Sequence, residues 1–237
     1  MNYLLIYILF SKLIVMSLPN KELLTNKYDI IYNFLTTQDV SNIMDNNQIQ
    51  WNKKLSSTRT TLNIWKGAIN LTDLDIKSFK YVILPDGRID INLDDNLIQS
   101  ILPNIKDNIS NLFNDSYKIS FVNLLINPPN TNTQQWHQDN SSIEPDNYYT
   151  ILIPLVDYEH MGKTEVIIPY THSFPHKKIK NKTLIPITPN VSIGDALIFS
   201  GSLWHRGTPN LSKYTRYCIY MVLTKSDVDS SLLFEHW

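Results

Sequence analysis

One cysteine, six glycines and four arginines in 237 residues set the first limits on this chain. The lone Cys218 excludes an intrachain disulfide framework and fits a reducing compartment, so a cytoplasmic location is expected. A formal net charge of -1 excludes a global basic field that would draw nucleic acid or acidic membranes. The one dense basic stretch, His176-Lys177-Lys178-Ile179-Lys180-Asn181-Lys182, reads as a solvated loop. No run of aromatics interleaved with Lys or Arg suggests base stacking, so there is no strong nucleic-acid signal. A long apolar run is also missing. A spanning helix needs about 20 apolar residues, whereas residues 3–16 are interrupted by Ser11-Lys12. That segment reads either as a signal or anchor, or as an extension ahead of a start at Met16, and membrane contact would come only through it. No internal repeat is visible, and nothing in the sequence sets the oligomeric state.

What is present is enough apolar material, 43% of residues, for a sizeable core. Residues 1–18 stand apart as the apolar N-terminal segment, and residues 19–237 read as a single domain. Within it, residues 19–117 are expected to be helical support and residues 118–237 a β core. Tyr28, Ile31, Tyr32 and Leu35 fall at helical spacing, and Thr36-Thr37-Gln38-Asp39 caps a second helix running through Met44. A strand at Tyr81-Val82-Ile83-Leu84 ends in the turn signal Pro85-Asp86-Gly87. A third helical stretch covers Asp95 to Phe113, and Pro103 is expected to kink or divide it.

From Lys118 onward, β-branched and aromatic runs occupy 118–126, 148–156, 164–168, 184–188, 196–200 and 214–224. Successive apolar positions, as in Ile151-Leu152-Ile153 and Tyr217-Cys218-Ile219-Tyr220-Met221, predict strands buried on both faces, one face covered by the N-terminal helices. Turns at Met161-Gly162-Lys163 and Ser192-Ile193-Gly194-Asp195 favour antiparallel pairing. The fold class is therefore mainly β with flanking helices (α+β), a double-stranded β-helix of the jelly-roll or cupin-like kind.

His137 and Asp139 are two residues apart, so on an extended strand both side chains project from one face and one metal can take both. His-x-Asp alone is weak, since six histidines and seventeen aspartates give roughly 0.4 such pairs by chance. It gains weight from His205, placed near the end of a later strand, and from Arg216 beyond the turn Thr208-Pro209-Asn210-Leu211-Ser212. Two imidazoles and a carboxylate are the donor set of a non-haem Fe(II) site with open positions. A hairpin across that turn would bring Arg216 into the same cavity, where its fork suits the far carboxylate of a dicarboxylic oxoacid. A guanidinium in an apolar strand needs an anionic partner. The competing reading pairs Arg216 with a buried carboxylate of the protein and makes His137 and His205 hydrogen-bonded core residues.

The sequence resembles the phytanoyl-CoA dioxygenase-like family of the Fe(II)/2-oxoglutarate oxygenases over about residues 118–224. His137-Gln138-Asp139, the stretch Met161-Gly162-Lys163-Thr164-Glu165-Val166-Ile167-Ile168-Pro169 and the strand opening Gly194-Asp195-Ala196-Leu197-Ile198-Phe199 are similar to family motifs. The closing segment, with His205, Asn210, Ser212 and Arg216, is the most specific match. Pro169-Tyr170-Thr171-His172 departs from the family's Pro-Gly-Ser-His, which bears on substrate shape more than on metal chemistry.

The resemblance implies iron on His137, Asp139 and His205, 2-oxoglutarate and O2 as cosubstrates, Arg216 on the distal carboxylate, and succinate and CO2 as products. Ser212 is a further cofactor-binding candidate. So is Gln135, whose strand face would be that of His137. One of Tyr148, Tyr149 and Thr150 would donate a hydroxyl to 2-oxoglutarate, Asn210 would shape its turn, and His172 has no assigned role. The expected reaction is hydroxylation of a small-molecule or lipid-like substrate. The alternatives are hydroxylation of a peptide or nucleic acid group, or a jelly-roll binding protein without catalysis.

Overall fold

The computed structural model describes residues 23, 26–45, 81–84, 86–92, 95–113, 116–140, 143–157, 165–168 and 185–229. The expectations for residues 1–18, the turn at 161–163, Tyr170, His172 and the basic stretch 176–182 lie outside the described residues. In chain order the elements are β1 (Tyr28–Ile31), α1 (37–45), β2 (Tyr81–Ile83), β3 (Ile89–Asn92), α2 (Asp95–Phe113) and β4 (Tyr117–Asn127). They continue with β5 (Tyr148–Pro154), β6 (Glu165–Ile168), β7 (Ala196–Ser200), β8 (Trp204–Gly207) and β9 (Arg216–Lys225).

Seven strands form one antiparallel sheet in the order β1-β7-β5-β9-β4-β3-β2, and β6 and β8 form a second. A ring contact between Phe199 on β7 and His205 on β8, at 4.6 Å, ties the short sheet to the long one. This is the expected jelly roll. Strand β5 is buried at every position and β9 at eight of its ten, as strands covered on both faces must be.

Alternation along the strands separates the two faces of the long sheet. One face carries Ile89, Val122, Leu124, Ile126, Tyr149, Ile151, Ile153, Ile219, Met221 and Leu223, packed against Val40 and Ile43 of α1 and Ile105, Ile109 and Phe113 of α2. Each such fully buried aliphatic side chain is worth roughly 1.5–3 kcal/mol of transfer free energy. The other, inner face carries Tyr148, Leu152, Leu197, Phe199, Cys218, Tyr220 and Val222. The candidate site lies on that side.

Several expectations are corrected. Residues 28–31 are a strand rather than a helix, pairing with β7 from Tyr28↔Phe199 to Ile31↔Ala196. Positive φ at Lys27 (62°) and Asn33 (54°) brackets the strand and cannot belong to a continuous helix. The edge of β7 supplies the ladder bonds that the local pattern could not reveal. The capping box is as expected, with the Thr36 amide donating to Asp39 Oδ2 at 3.0 Å and the Asp39 amide donating to Thr36 Oγ1 at 3.1 Å.

Pro103 does not divide its helix, which runs unbroken from Asp95 to Phe113. The proline removes a single backbone donor, and its ring is exposed. Of the expected strand 184–188, the described residues are 185–188, and among them only Ile187 makes a bridge. Gly194 opens β7 with φ +78°, and a Cβ there would stand 2.7 Å from the Leu35 carbonyl oxygen. Finally, β8 and β9 are not hairpin partners: β8 pairs with β6 and β9 with β4 and β5, so the turn at 208–212 carries the chain from one sheet to the other.

Candidate active site

His137 is not on a regular strand, as its spacing to Asp139 implied; it forms a single antiparallel bridge with His205. The two residues exchange both backbone hydrogen bonds, each at 3.0 Å. Directly opposed residues of an antiparallel pair project to one side, and the imidazole centroids stand 4.3 Å apart. His205, second residue of β8 rather than near its end, is 3% exposed. The chain then runs alongside 201–203, with the Asn140 amide donating to the Gly201 carbonyl and the Gln138 side chain donating to the Ser202 carbonyl. That pairing turns Asp139 inward.

One ligand atom from each of His137, Asp139 and His205 can be chosen so that all lie within 4.8 Å of one another. Asp139 Oδ1 is 3.3 Å from His205 Nε2 and 3.7 Å from His137 Nε2. The two imidazoles are held alike. His137 Nδ1 lies 2.9 Å from the Gln135 carbonyl, and His205 Nδ1 lies 2.9 Å from the Leu203 carbonyl. Those acceptors fix the proton on Nδ1 and leave each Nε2 lone pair for a metal. Thr150 on β5 donates its hydroxyl to Asp139 Oδ2, the oxygen turned away from the histidines.

Electrostatics agree with this division of roles. Burial, then the neighbouring His205 imidazole, hold His137 below the ordinary imidazole value, so the neutral, ligating form is favoured. Burial works to raise the Asp139 carboxyl, but His205, His137 and the Thr150 hydroxyl outweigh it and bring it to about 2. Arg88 contributes to the lowering of His137.

Arg216 begins β9 on the inner face and is 2% exposed. Its Nη1 donates to Thr208 Oγ1 at 3.1 Å and its Nη2 to the Thr208 carbonyl at 2.7 Å. The sequence reading missed a second arginine there. Arg88, also 2% exposed, is paired with Asp86 and donates through Nη2 to the same Thr208 carbonyl at 2.6 Å. Asn127 lies opposite Arg216. With its amide oxygen facing the arginines, it accepts from Nε of both Arg88 and Arg216 at 3.2 Å. A signal was available, since Arg88 is one of only four arginines and follows a turn glycine.

The remaining candidates take other places. Gln135 is exposed and orients His137 through its carbonyl. The Ser212 hydroxyl bonds Asn210 Oδ1 at 2.8 Å and the Tyr214 carbonyl at 3.0 Å, within its own turn. Asn210, fully buried, shapes that turn as expected, donating to the carbonyls of Asn127 and Tyr214. Of the three hydroxyl residues opening β5, Tyr149 faces the helices and stacks on Phe113 at 4.9 Å, Thr150 serves Asp139, and Tyr148 packs across Gly201.

The model of the phytanoyl-CoA dioxygenase family matches residues 90–218, more than half of the chain. The chain belongs to that family. No curated protein sequence matches it. Solved structures match over most of its length at low identity, which speaks for the shared fold. The non-haem α-ketoglutarate-dependent epimerase SnoN of nogalamycin biosynthesis aligns with TM-score 0.63 at 12% identity, covering 86% of this chain and 80% of its own. AviO1 from Streptomyces viridochromogenes Tue57 aligns with TM-score 0.65 at 13% identity, covering 88% and 94%. The carbocyclase SnoK aligns with TM-score 0.61 at 12% identity, covering 89% and 86%. Family membership makes the chain an enzyme of the non-haem oxygenase type. Two imidazoles and one ionised carboxylate on one side of a common point suit a ferrous ion. Among the described residues, no helix is long and apolar enough to cross a membrane.

Proposed function

We propose that residues 19–237 form one Fe(II)- and 2-oxoglutarate-dependent dioxygenase domain that hydroxylates a small-molecule or lipid-like substrate, releasing succinate and CO2. The reading is carried by the convergence of His137, Asp139 and His205 within 4.8 Å, each imidazole pinned by a backbone carbonyl. It is supported by SnoN, whose structure is described in complex with Fe3+ and α-ketoglutarate. Similar structures include an epimerase and a carbocyclase, and the choice of hydroxylation among these reactions is supported by the phytanoyl-CoA dioxygenase family match.

His137, Asp139 and His205 would hold the iron, and Arg216 would grip the distal carboxylate of 2-oxoglutarate. Bound there, iron with 2-oxoglutarate and O2 supplies the oxidising power for attack on a C–H bond. The rest is done by the chain. Thr150 fixes the Asp139 carboxylate so that one oxygen faces the metal position. Apolar inner-face residues such as Phe199, Leu152 and Val222 keep water out of the chamber. Thr208 and Asn127 hold the Arg216 guanidinium in one orientation, so that its fork is set before the cosubstrate arrives.

The test is anaerobic addition of Fe(II) and 2-oxoglutarate, which should give a weak visible charge-transfer band, followed by air, which should yield succinate. His137→Ala should lose iron while keeping its far-ultraviolet circular dichroism. A wild-type protein that binds neither ligand is not an oxygenase.

A further inference from the structure

Asp90 is a carboxylate of the inner face that this chemistry leaves unused. Its neighbour Ile89 belongs to the helix-facing core, so alternation turns Asp90 to the metal side of the sheet. Across the ladder it pairs with Leu125, whose next partner is Cys218. Asn123, two residues from Leu125 on the same face, hydrogen-bonds the carboxylate. The Oδ1 of Asp90 is fully buried and has no hydrogen-bond partner among the described residues.

Tyr220, opposite Asn123, shares one apolar cluster with Phe199, whose ring touches His205, so this carboxylate lies on the same side of the sheet as the metal position. Its phenol is pushed up by burial, then by the charges of Asp139, Tyr148 and Asp90, so it feels the metal-site carboxylate and Asp90 together. The nearest cation along the strand, Arg88, directs its guanidinium to Asp86 and the Thr208 carbonyl. Burial pushes the Asp90 carboxyl up to about 6, and only the Asn123 bond pulls it back. At neutral pH it is therefore largely ionised, and among the described residues no positive charge offsets it.

An ionised carboxylate held this way costs free energy unless something pairs with it. Leucine or asparagine would fill the position at less cost. Resting on the oxygenase reading above, we infer that Asp90 is a substrate-binding residue whose partner is a protonated amine of the organic substrate. The ammonium sits against Asp90 beside Tyr220, and the C–H bond to be attacked is turned toward His137, Asp139 and His205. A hydroxyl would satisfy the open hydrogen bond but leave the charge unbalanced, so a basic small molecule is the substrate class that the chamber selects.

The experiment uses the anaerobic protein loaded with Fe(II) and 2-oxoglutarate. The probes are propyl-, hexyl-, cyclohexyl- and benzylammonium, each beside the alcohol of the same carbon skeleton, read by melting temperature and by change in the visible band. At least one ammonium should bind, at least tenfold more tightly than its alcohol, and Asp90→Asn should weaken it at least tenfold while leaving the band without probe unchanged. The ligand-free Asp90→Asn protein should melt higher than wild type. Equal binding of alcohol and ammonium, unchanged ammonium affinity in Asp90→Asn, or no ammonium binding would overturn the inference. So would a lower melting temperature in the variant, which would make Asp90 a structural partner of Asn123. A missing band in wild type would sink the oxygenase reading instead, and the melting shifts would still report on Asp90.

Discussion

Arg88 and Arg216 end on the same backbone oxygen, the carbonyl of Thr208, at 2.6 and 2.7 Å. Two buried guanidiniums this close repel, and the fold answers with Asp86 on Arg88 and the Asn127 amide between them. The arrangement gives the two different partners, the Asp86 carboxylate for Arg88 and Thr208 with Asn127 for Arg216, the arginine proposed to grip 2-oxoglutarate.

That division is testable by two substitutions. Arg216→Lys should lower 2-oxoglutarate affinity well over tenfold with the fold intact, because an ammonium cannot make two parallel bonds to a carboxylate. Arg88→Met strands the buried Asp86 carboxylate and should cost about 3 kcal/mol in urea unfolding. Equal stability losses with unchanged cosubstrate affinity would make both arginines structural.

Thr150→Val tests the support of the metal carboxylate. Valine keeps the shape at this fully buried position but removes the hydroxyl that holds Asp139 Oδ2. Loss of such a supporting hydrogen bond typically costs 10–100-fold in metal affinity, so iron retention during dialysis against a chelator should fall by roughly tenfold or more. Retention equal to wild type would show that Asp139 keeps its place without the Thr150 hydroxyl.

The metal triad was legible because metal ligation admits few residue types, and the family motifs around His137, Asp139 and His205 survive in order along the chain. The central strands were legible because burial on both faces leaves runs such as Ile151-Leu152-Ile153 with no polar interruption. Strand β1 was not, since four edge residues take their conformation from pairing with β7. Arg88 and Asp90 escaped for the same kind of reason. Their surroundings come from the register Ile89↔Ile126 and Asp90↔Leu125, and from Asn123 and Asn127, side chains with no local signature. The spacing of His137 and Asp139 pointed to side chains that do converge, but through the wrong geometry, because the bridge to His205, rather than a strand, sets their common side.

The Asp90 carboxyl also sets a pH dependence whose sign follows from the direction of its shift. Its folded value, about 6, lies above the ordinary 3.8, so the fold favours the neutral acid. Below about pH 4 the group is protonated in both states and costs nothing. Between about pH 4 and 6 the unfolded chain ionises first, and stability is lost as pH rises. Above about pH 6 the full penalty remains, at most about 3 kcal/mol for a shift of this size. Asp90→Asn carries no such penalty. In urea unfolding of the ligand-free proteins, its advantage over wild type should therefore be small near pH 4, grow toward pH 6 and level off above it. An advantage that does not vary across this range would mean that the surroundings of Asp90 satisfy its charge, and that the chamber has no need of a cation from the substrate.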